Sequence, residues 1–344
     1  MKKRIINFNY ASPKENHFLL GHESAKNEIL ESFKNNSAAH AWLITGSQGI
    51  GKASLVYDAL KKIFIQNIHD SYKKNSILSQ IISGSYGNLM VIEKKDENKD
   101  ISIEEIRKIK DFLYLSASDS PYKIVVIDAV DYLNNNSSNA LLKILEEPPS
   151  NSYIFLINHA EAKIHKTIKS RCRIIRLQSL THELAQQIIK NLDNQIDDSS
   201  IDKLLYLTDN SPGQSLELWK NNALDLYEDL TEILDIREKL NINLMQKFSD
   251  KIHKLPKDIG WQIFSSLINH FLQKLLKFAS SVSYKEIAKD EGVIIENISN
   301  KLNIDQWLII WDKQQELLKE TIKSNLDAKQ VILIIVNLIR ENRF

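Results

Sequence analysis

Gly46-Ser47-Gln48-Gly49-Ile50-Gly51-Lys52-Ala53 lies between an apolar run, Ala41-Trp42-Leu43-Ile44-Thr45, and a stretch over 53–65 with helical spacing. A glycine-rich turn that joins a strand to a helix is a natural holder of phosphate. The glycines let backbone N–H groups approach phosphate oxygens, and the positive end of the helix favours negative charge. Lys52 is placed to reach the outer phosphates. The octet matches G-x-x-x-x-G-K but ends on Ala53, where the motif has Ser or Thr. That hydroxyl normally helps hold Mg²⁺. Ser54 carries a hydroxyl, but one step along a helix turns it about 100° away.

Outward from this turn, strand and helix patterns alternate. Strands are expected at 89–92, 123–128, 153–157 and 173–177, and helices at 103–115 and 140–146. Ser102 with Glu105 makes a capping box for the first of these helices, and Pro148 stops the second. The pattern predicts an α/β P-loop NTPase domain with a mostly parallel sheet covered on both faces. Asp128 ends the strand expected at 123–128, a fitting place for the acidic residue that accompanies a phosphate loop. ATPases of this kind commonly follow it with a water-polarising glutamate, but here Ala129 follows. Asp131 comes later and is expected to face elsewhere.

Beyond 180 the strand signals stop. Helices are expected at 182–192, 201–207 and 214–219, with Asn210-Ser211-Pro212-Gly213 as a break. From 223 to 344 the pattern predicts helices separated by polar breaks. The expected division is an α/β domain at 1–178, a small helical lid domain at 179–222 and an all-α domain at 223–344. Val331-Ile332-Leu333-Ile334-Ile335-Val336 fits a buried helix or strand. Phe264-Ser265-Ser266-Leu267-Ile268 and Leu308-Ile309-Ile310-Trp311 fit either a core or an interface.

Composition narrows the class. The 344 residues are 43% hydrophobic and 26% charged, the balance of a globular chain. Lys+Arg number 45 and Asp+Glu 44, a net charge of +1, which argues against nucleic-acid binding by bulk charge. Cys172 is the one cysteine, so neither a disulfide nor a multi-cysteine zinc site can form within the chain, and a cytoplasmic setting fits. The start, Met1-Lys2-Lys3-Arg4, is basic like a signal peptide but runs into polar residues. No apolar run reaches the roughly 20 residues of a membrane span.

Three segments carry a family resemblance: Leu20-Gly21-His22-Glu23 followed by His40-Ala41-Trp42-Leu43; Asn139-Ala140-Leu141-Leu142-Lys143-Ile144-Leu145-Glu146-Glu147-Pro148-Pro149; and Thr167-Ile168-Lys169-Ser170-Arg171-Cys172. In this order and spacing they resemble bacterial clamp-loader AAA+ subunits. The match is good over 15–220, and the remainder matches only in being helical. Ala53 and Ala129 are similar to the delta-prime type, whose hydrolytic site is degraded; the alternative within the family is the gamma-type motor. Many members hold a four-cysteine zinc module after the phosphate loop. Between Ile65 and the next expected strand there is no cysteine, so no zinc is expected.

The resemblance implies a non-hydrolysing stator subunit of the DNA polymerase III clamp loader, with the helices from 223 forming a collar. Gly46, Gly49, Gly51, Lys52, Ala53, Ser54, Asp128 and Asn158 would surround ATP or ADP bound without hydrolysis, with Asn158 as a polar sensor. A second-sensor arginine is not supplied by Pro212-Gly213-Gln214. Arg171, within Ser170-Arg171-Cys172, would project into a neighbour's ATP site as an arginine finger, and Cys172 would pack. The implied partners are gamma/tau-type motor and delta-type subunits in a hetero-pentamer. The sliding clamp and primer-template DNA would be reached through that complex. A small-molecule P-loop kinase is a further reading, but it leaves Ser170-Arg171-Cys172 and the all-α part unexplained.

Overall fold

The computed structural model describes residues 10, 12–16, 18–93, 100–117, 119–159, 164–324 and 326–341. The basic start at 1–4 and the last residues, 342–344, lie outside them. The chain divides into two compact units, one of 1–195 with 210–214 and the other of 196–209 with 215–344. The stretch 179–222 is shared between the two.

In the first unit five strands form one parallel sheet: β1 (Ala41–Thr45), β2 (Leu89–Ile92), β3 (Lys123–Ile127), β4 (Ser152–Ile157) and β5 (Arg173–Arg176). Their spatial order is β2-β3-β4-β1-β5. Every residue of β1 and β3 is buried, because the sheet is covered on both faces. Trp42, Ile44, Ile124, Val126, Phe155 and Ile157 face one apolar layer. Their neighbours Ala41, Leu43, Val125, Ile127, Ile154 and Leu156 face the other. Each fully buried aliphatic or aromatic side chain contributes about 1.5–3 kcal/mol against remaining in water.

The first layer is completed by α1 (Glu23–Lys34), α2 (Lys52–Ile65) and α3 (Ser71–Ser83), through residues such as Ile29, Leu55 and Ile77. The second is completed by α4 (Ile103–Tyr114), α5 (Asn135–Glu146) and α6 (Lys166–Lys169), through Ile106, Leu141 and Ile168. The expected capping box at α4 is formed: Ser102 Oγ accepts from Glu105 N at 3.3 Å, and Glu105 Oε2 accepts from Ser102 N at 3.0 Å. Helix α5 starts at Asn135, earlier than the expected 140. Asn134 accepts from Ser137 N at 3.0 Å, so a polar stretch that resembles a loop is a helix start.

The chain continues through α7 (His182–Leu192), α8 (Asp198–Leu207) and α9 (Pro212–Lys220). Pro212-Gly213 was expected in a break and instead forms the first turn of α9. Proline is tolerated there because the first N–H groups of a helix have no intrahelical partner.

The second unit adds α10 (Ala223–Leu234), α11 (Ile242–His253), α12 (Lys257–Ala279), α13 (Glu291–Ser299), α14 (Ile304–Lys323) and α15 (Ala328–Glu341) around one apolar cluster. Phe264, Leu267 and Ile268 belong to that core, and the Val331–Val336 run is part of α15. The 308–311 run divides: Ile310 is buried, whereas Leu308 and Ile309 are exposed. One buried ion pair interrupts the apolar packing. Lys274 Nζ lies 2.8 and 2.9 Å from the two Glu291 oxygens, which also accept from Tyr227 Oη and from Ile287 N. Among the described residues no helix is long and apolar enough to cross a membrane.

Candidate nucleotide site and surface arginine

The site is built where β1, β4 and β3 lie side by side and end. The turn after β1 carries the phosphate loop, Asn158 follows β4, and Asp128 follows β3. Ligands bind at such carboxyl ends of parallel strands, where the strand order switches direction. The backbone places these ends in register: Asn158 N donates to Ile44 O at 2.9 Å, and Asp128 N donates to Ile92 O at 2.8 Å.

Each carbonyl from Gly46 to Gly51 accepts from a donor within the protein. Lys52 Nζ donates to Gly46 O at 2.7 Å and to Ser47 O at 2.5 Å. Ser211 Oγ donates to Gln48 O at 2.8 Å, and Gly213 N donates to Gly49 O at 2.9 Å. His22 Nε2 lies 2.9 Å from Ile50 O, which requires the proton on that nitrogen, and Leu55 N donates to Gly51 O at 2.9 Å. Among the described residues none of the N–H groups of 47–52 has a protein acceptor. The carbonyls are held by the protein and the N–H donors are left over, at the start of α2. That is the electrostatic character of an anion nest.

Lys52 is buried, and burial lowers its ammonium to about 8, against the opposing pull of the Asp128 and Asp131 carboxylates. Asp131 therefore belongs to the surroundings of the site, contrary to the expectation that it faces elsewhere. Its Oδ1 accepts from His159 N at 3.1 Å, and His159 Nε2 lies 3.4 Å from Asp128 Oδ1. That oxygen is buried without a hydrogen bond of good geometry. Between the two carboxylates Ala129 adopts φ +65°, a left-handed conformation unusual for alanine. The methyl of Ala53 packs against the first apolar layer, and Ser54 is half-buried one position on.

Arg171 lies apart from this loop at the surface, with its side chain 36% exposed. Nη1 donates to Thr167 O at 3.1 Å and to Ser170 Oγ at 3.3 Å, and Nη2 lies 2.7 Å from Glu146 Oε1. Neighbouring Cys172 packs into the second apolar layer, and burial pushes its thiol up to about 12. A thiol so held is no nucleophile. His22, His159, Asp131, Ser211 and Glu146 were not foreseen as parts of the site. Pairings across long sequence separations leave no local pattern, although His22 and Glu146 lie inside the segments that carry the resemblance.

The family model described as DNA polymerase III, delta subunit, matches residues 21–181. DNA polymerase III subunit gamma of Buchnera aphidicola subsp. Schizaphis graminum is 30% identical over 306 residues, 83% of this chain and 82% of that protein. DNA polymerase III subunit delta′ of the same organism is 25% identical over 315 residues, 83% of this chain and 94% of that protein. A DNA polymerase III gamma-subunit-related protein of Thermotoga maritima, known by crystal structure, is 16% identical over 93% of this chain and 98% of that chain, with a TM-score of 0.41. At that similarity the fold rests on the sheet order described above. The phosphate loop, the strand order and the gamma-named relative agree: the chain belongs to the AAA+ clamp-loader family of DNA polymerase III subunits.

Proposed function

We propose that this chain is a delta-prime-type stator, which holds nucleotide phosphates without hydrolysing them and supplies Arg171 to a neighbouring subunit's ATP site. The observation that carries this is the pair Ala53 and Ala129, which stand where hydrolysis needs a metal-holding hydroxyl and a water-polarising carboxylate.

The donor set fits phosphate: Lys52 and the leftover N–H groups offer positive charge and hydrogen bonds. It fits Mg²⁺ poorly, because Ala53 has no side-chain hydroxyl and Asp128 lies against His159. ATP or ADP would thus be bound through its phosphates. A water attacking the terminal phosphorus must be oriented and lose a proton, and the methyl of Ala129 does neither.

Arg171 suits the other role. Negative charge spreads over the phosphoryl oxygens as the bond to the leaving oxygen lengthens, and a planar, permanently charged guanidinium stabilises it. Arginines acting this way in related NTPases are worth about 10³–10⁵ in rate. The partners on this reading are gamma/tau-type motor and delta-type subunits, with the sliding clamp and primer-template DNA reached through the complex.

The test is DNA-stimulated ATP turnover of the reconstituted complex carrying Arg171→Ala. A clear drop is expected, and unchanged turnover would sink the finger role. The gamma-type motor is a second reading, favoured by the gamma-named relative and by the retained Lys52 and Asp128. It requires turnover by the isolated chain that disappears in Lys52→Ala.

A further inference from the structure

Arg171 and Glu146 come from two different motifs that have no obvious reason to be kept together. Glu146 is the last residue of α5, in the run that ends Glu146-Glu147-Pro148-Pro149. Arg171 follows α6. The structure brings them to 2.7 Å. The position of Glu146 needs a reason. A carboxylate at the C-terminus of a helix faces the negative end of the macrodipole, and here a second one, Glu147, follows directly. Arg171 supplies the compensating charge for Glu146.

A guanidinium has five N–H donors in one plane. Thr167 O and Ser170 Oγ take those of Nη1, and Nη2 lies 2.7 Å from Glu146 Oε1 as an ion pair. Neither Nε nor Nη2 makes a hydrogen bond among the described residues. Two hydrogen bonds and this ion pair hold the group in place, and the Nε and Nη2 donors stay available to an outside oxyanion. A flexible arginine would have to lose its rotamer freedom when the neighbour's phosphate arrives, whereas one already fixed loses much less.

We propose that Glu146 is a positioning residue for Arg171: it holds the guanidinium plane by one edge so that the remaining donors face the neighbour's phosphoryl group. This rests on the finger role proposed for Arg171. Glu146 touches no nucleotide itself, and its effect passes entirely through Arg171.

The test is a double-mutant cycle in the reconstituted complex, reading DNA-stimulated ATP turnover. Glu146→Ala is expected to lower kcat about 3- to 10-fold with the KM for ATP unchanged, and to have no further effect in the Arg171→Ala background. Glu146→Gln, which keeps the shape and loses the charge, should fall between wild type and Glu146→Ala. It also serves as the second variant should the alanine form fail to fold. A Glu146→Ala defect of the same size with and without Arg171 would overturn the proposal, as would wild-type kcat in both Glu146 variants. If Arg171→Ala alone leaves turnover unchanged, the finger reading fails, and the positioning role fails with it. A second measurement separates these cases. In the isolated chain the Arg171 Nε–H should be rigid by NMR relaxation and become mobile in Glu146→Ala. A rigid Nε–H in the variant overturns the positioning role whatever the finger does.

Discussion

Gly213 and Gly49 meet backbone to backbone, with Gly213 N donating to Gly49 O at 2.9 Å. A β-carbon on Gly213 would lie 2.9 Å from Gly49 Cα and O. One on Gly49 would lie 2.5 Å from Ser211 Oγ and 2.7 Å from Gln214 N. The start of α9 is thereby part of the phosphate loop's scaffold. Gly49→Ala, which must also hold φ +77°, is expected to destabilise the protein by about 2–4 kcal/mol. Gly213→Ala should cost about 1–3 kcal/mol, and Ser211→Ala about 1 kcal/mol for the loss of its bond to Gln48 O. Denaturant unfolding of the three variants checks the order. Equal stability of Gly49→Ala and wild type would refute the close packing.

Ala129 carries a β-carbon where the backbone is left-handed. That conformation costs an L-residue about 1–2 kcal/mol, and glycine escapes the cost while losing more chain entropy on folding. Ala129→Gly is therefore expected to raise stability by about 0.5–1 kcal/mol, read as a higher midpoint in the same unfolding assay. A destabilised variant would mean that the methyl packs to greater effect than the strain it imposes.

Lys52 links the site to pH. Burial lowers its ammonium from the ordinary 10.5 to about 8. Phosphate binding needs the charged form, so affinity for ADP without added metal should be constant below pH 7 and fall about tenfold per unit above pH 8. Stability moves the other way. Between about 8 and 10.5 the unfolded chain keeps the proton that the folded chain has released, so the Lys52 contribution makes stability rise with pH. Lys52→Arg should flatten the binding profile, because arginine stays charged throughout. Titration calorimetry from pH 6 to 9.5 reads the effect; a flat wild-type profile would contradict it.

Glu291 accepts from Lys274, Tyr227 and the Ile287 backbone while fully buried. Breaking such a pair leaves an uncompensated buried charge. Glu291→Leu alone is expected to cost about 3–5 kcal/mol, and Lys274→Met with Glu291→Leu together much less. Thermal unfolding of the single and double variants distinguishes a pair that matters through its mutual neutralisation from one that contributes little. Additive losses would count against the pairing.

The sequence by itself determined the elements that depend on neighbouring residues. The all-buried strands β1 and β3 were legible because a sheet covered on both faces leaves continuous apolar runs. The start of α4 was legible because Ser102 and Glu105 satisfy each other within three residues. The phosphate loop was legible because its glycines and Lys52 stand at fixed spacing. Helix starts at Asn135 and Pro212 were missed, since Asn, Ser, Pro and Gly also make turns, and only the folded surroundings decide between the two. The tertiary structure alone decided who holds the loop and who holds the arginine. His22 reaches Ile50, Ser211 reaches Gln48, Asp131 reaches His159, and Glu146 reaches Arg171. Periodicity tells which face of an element is buried, but it does not tell which distant residue will lie opposite. That depends on the order β2-β3-β4-β1-β5, which sets the strand ends side by side, and on the packing of α5 beside α6.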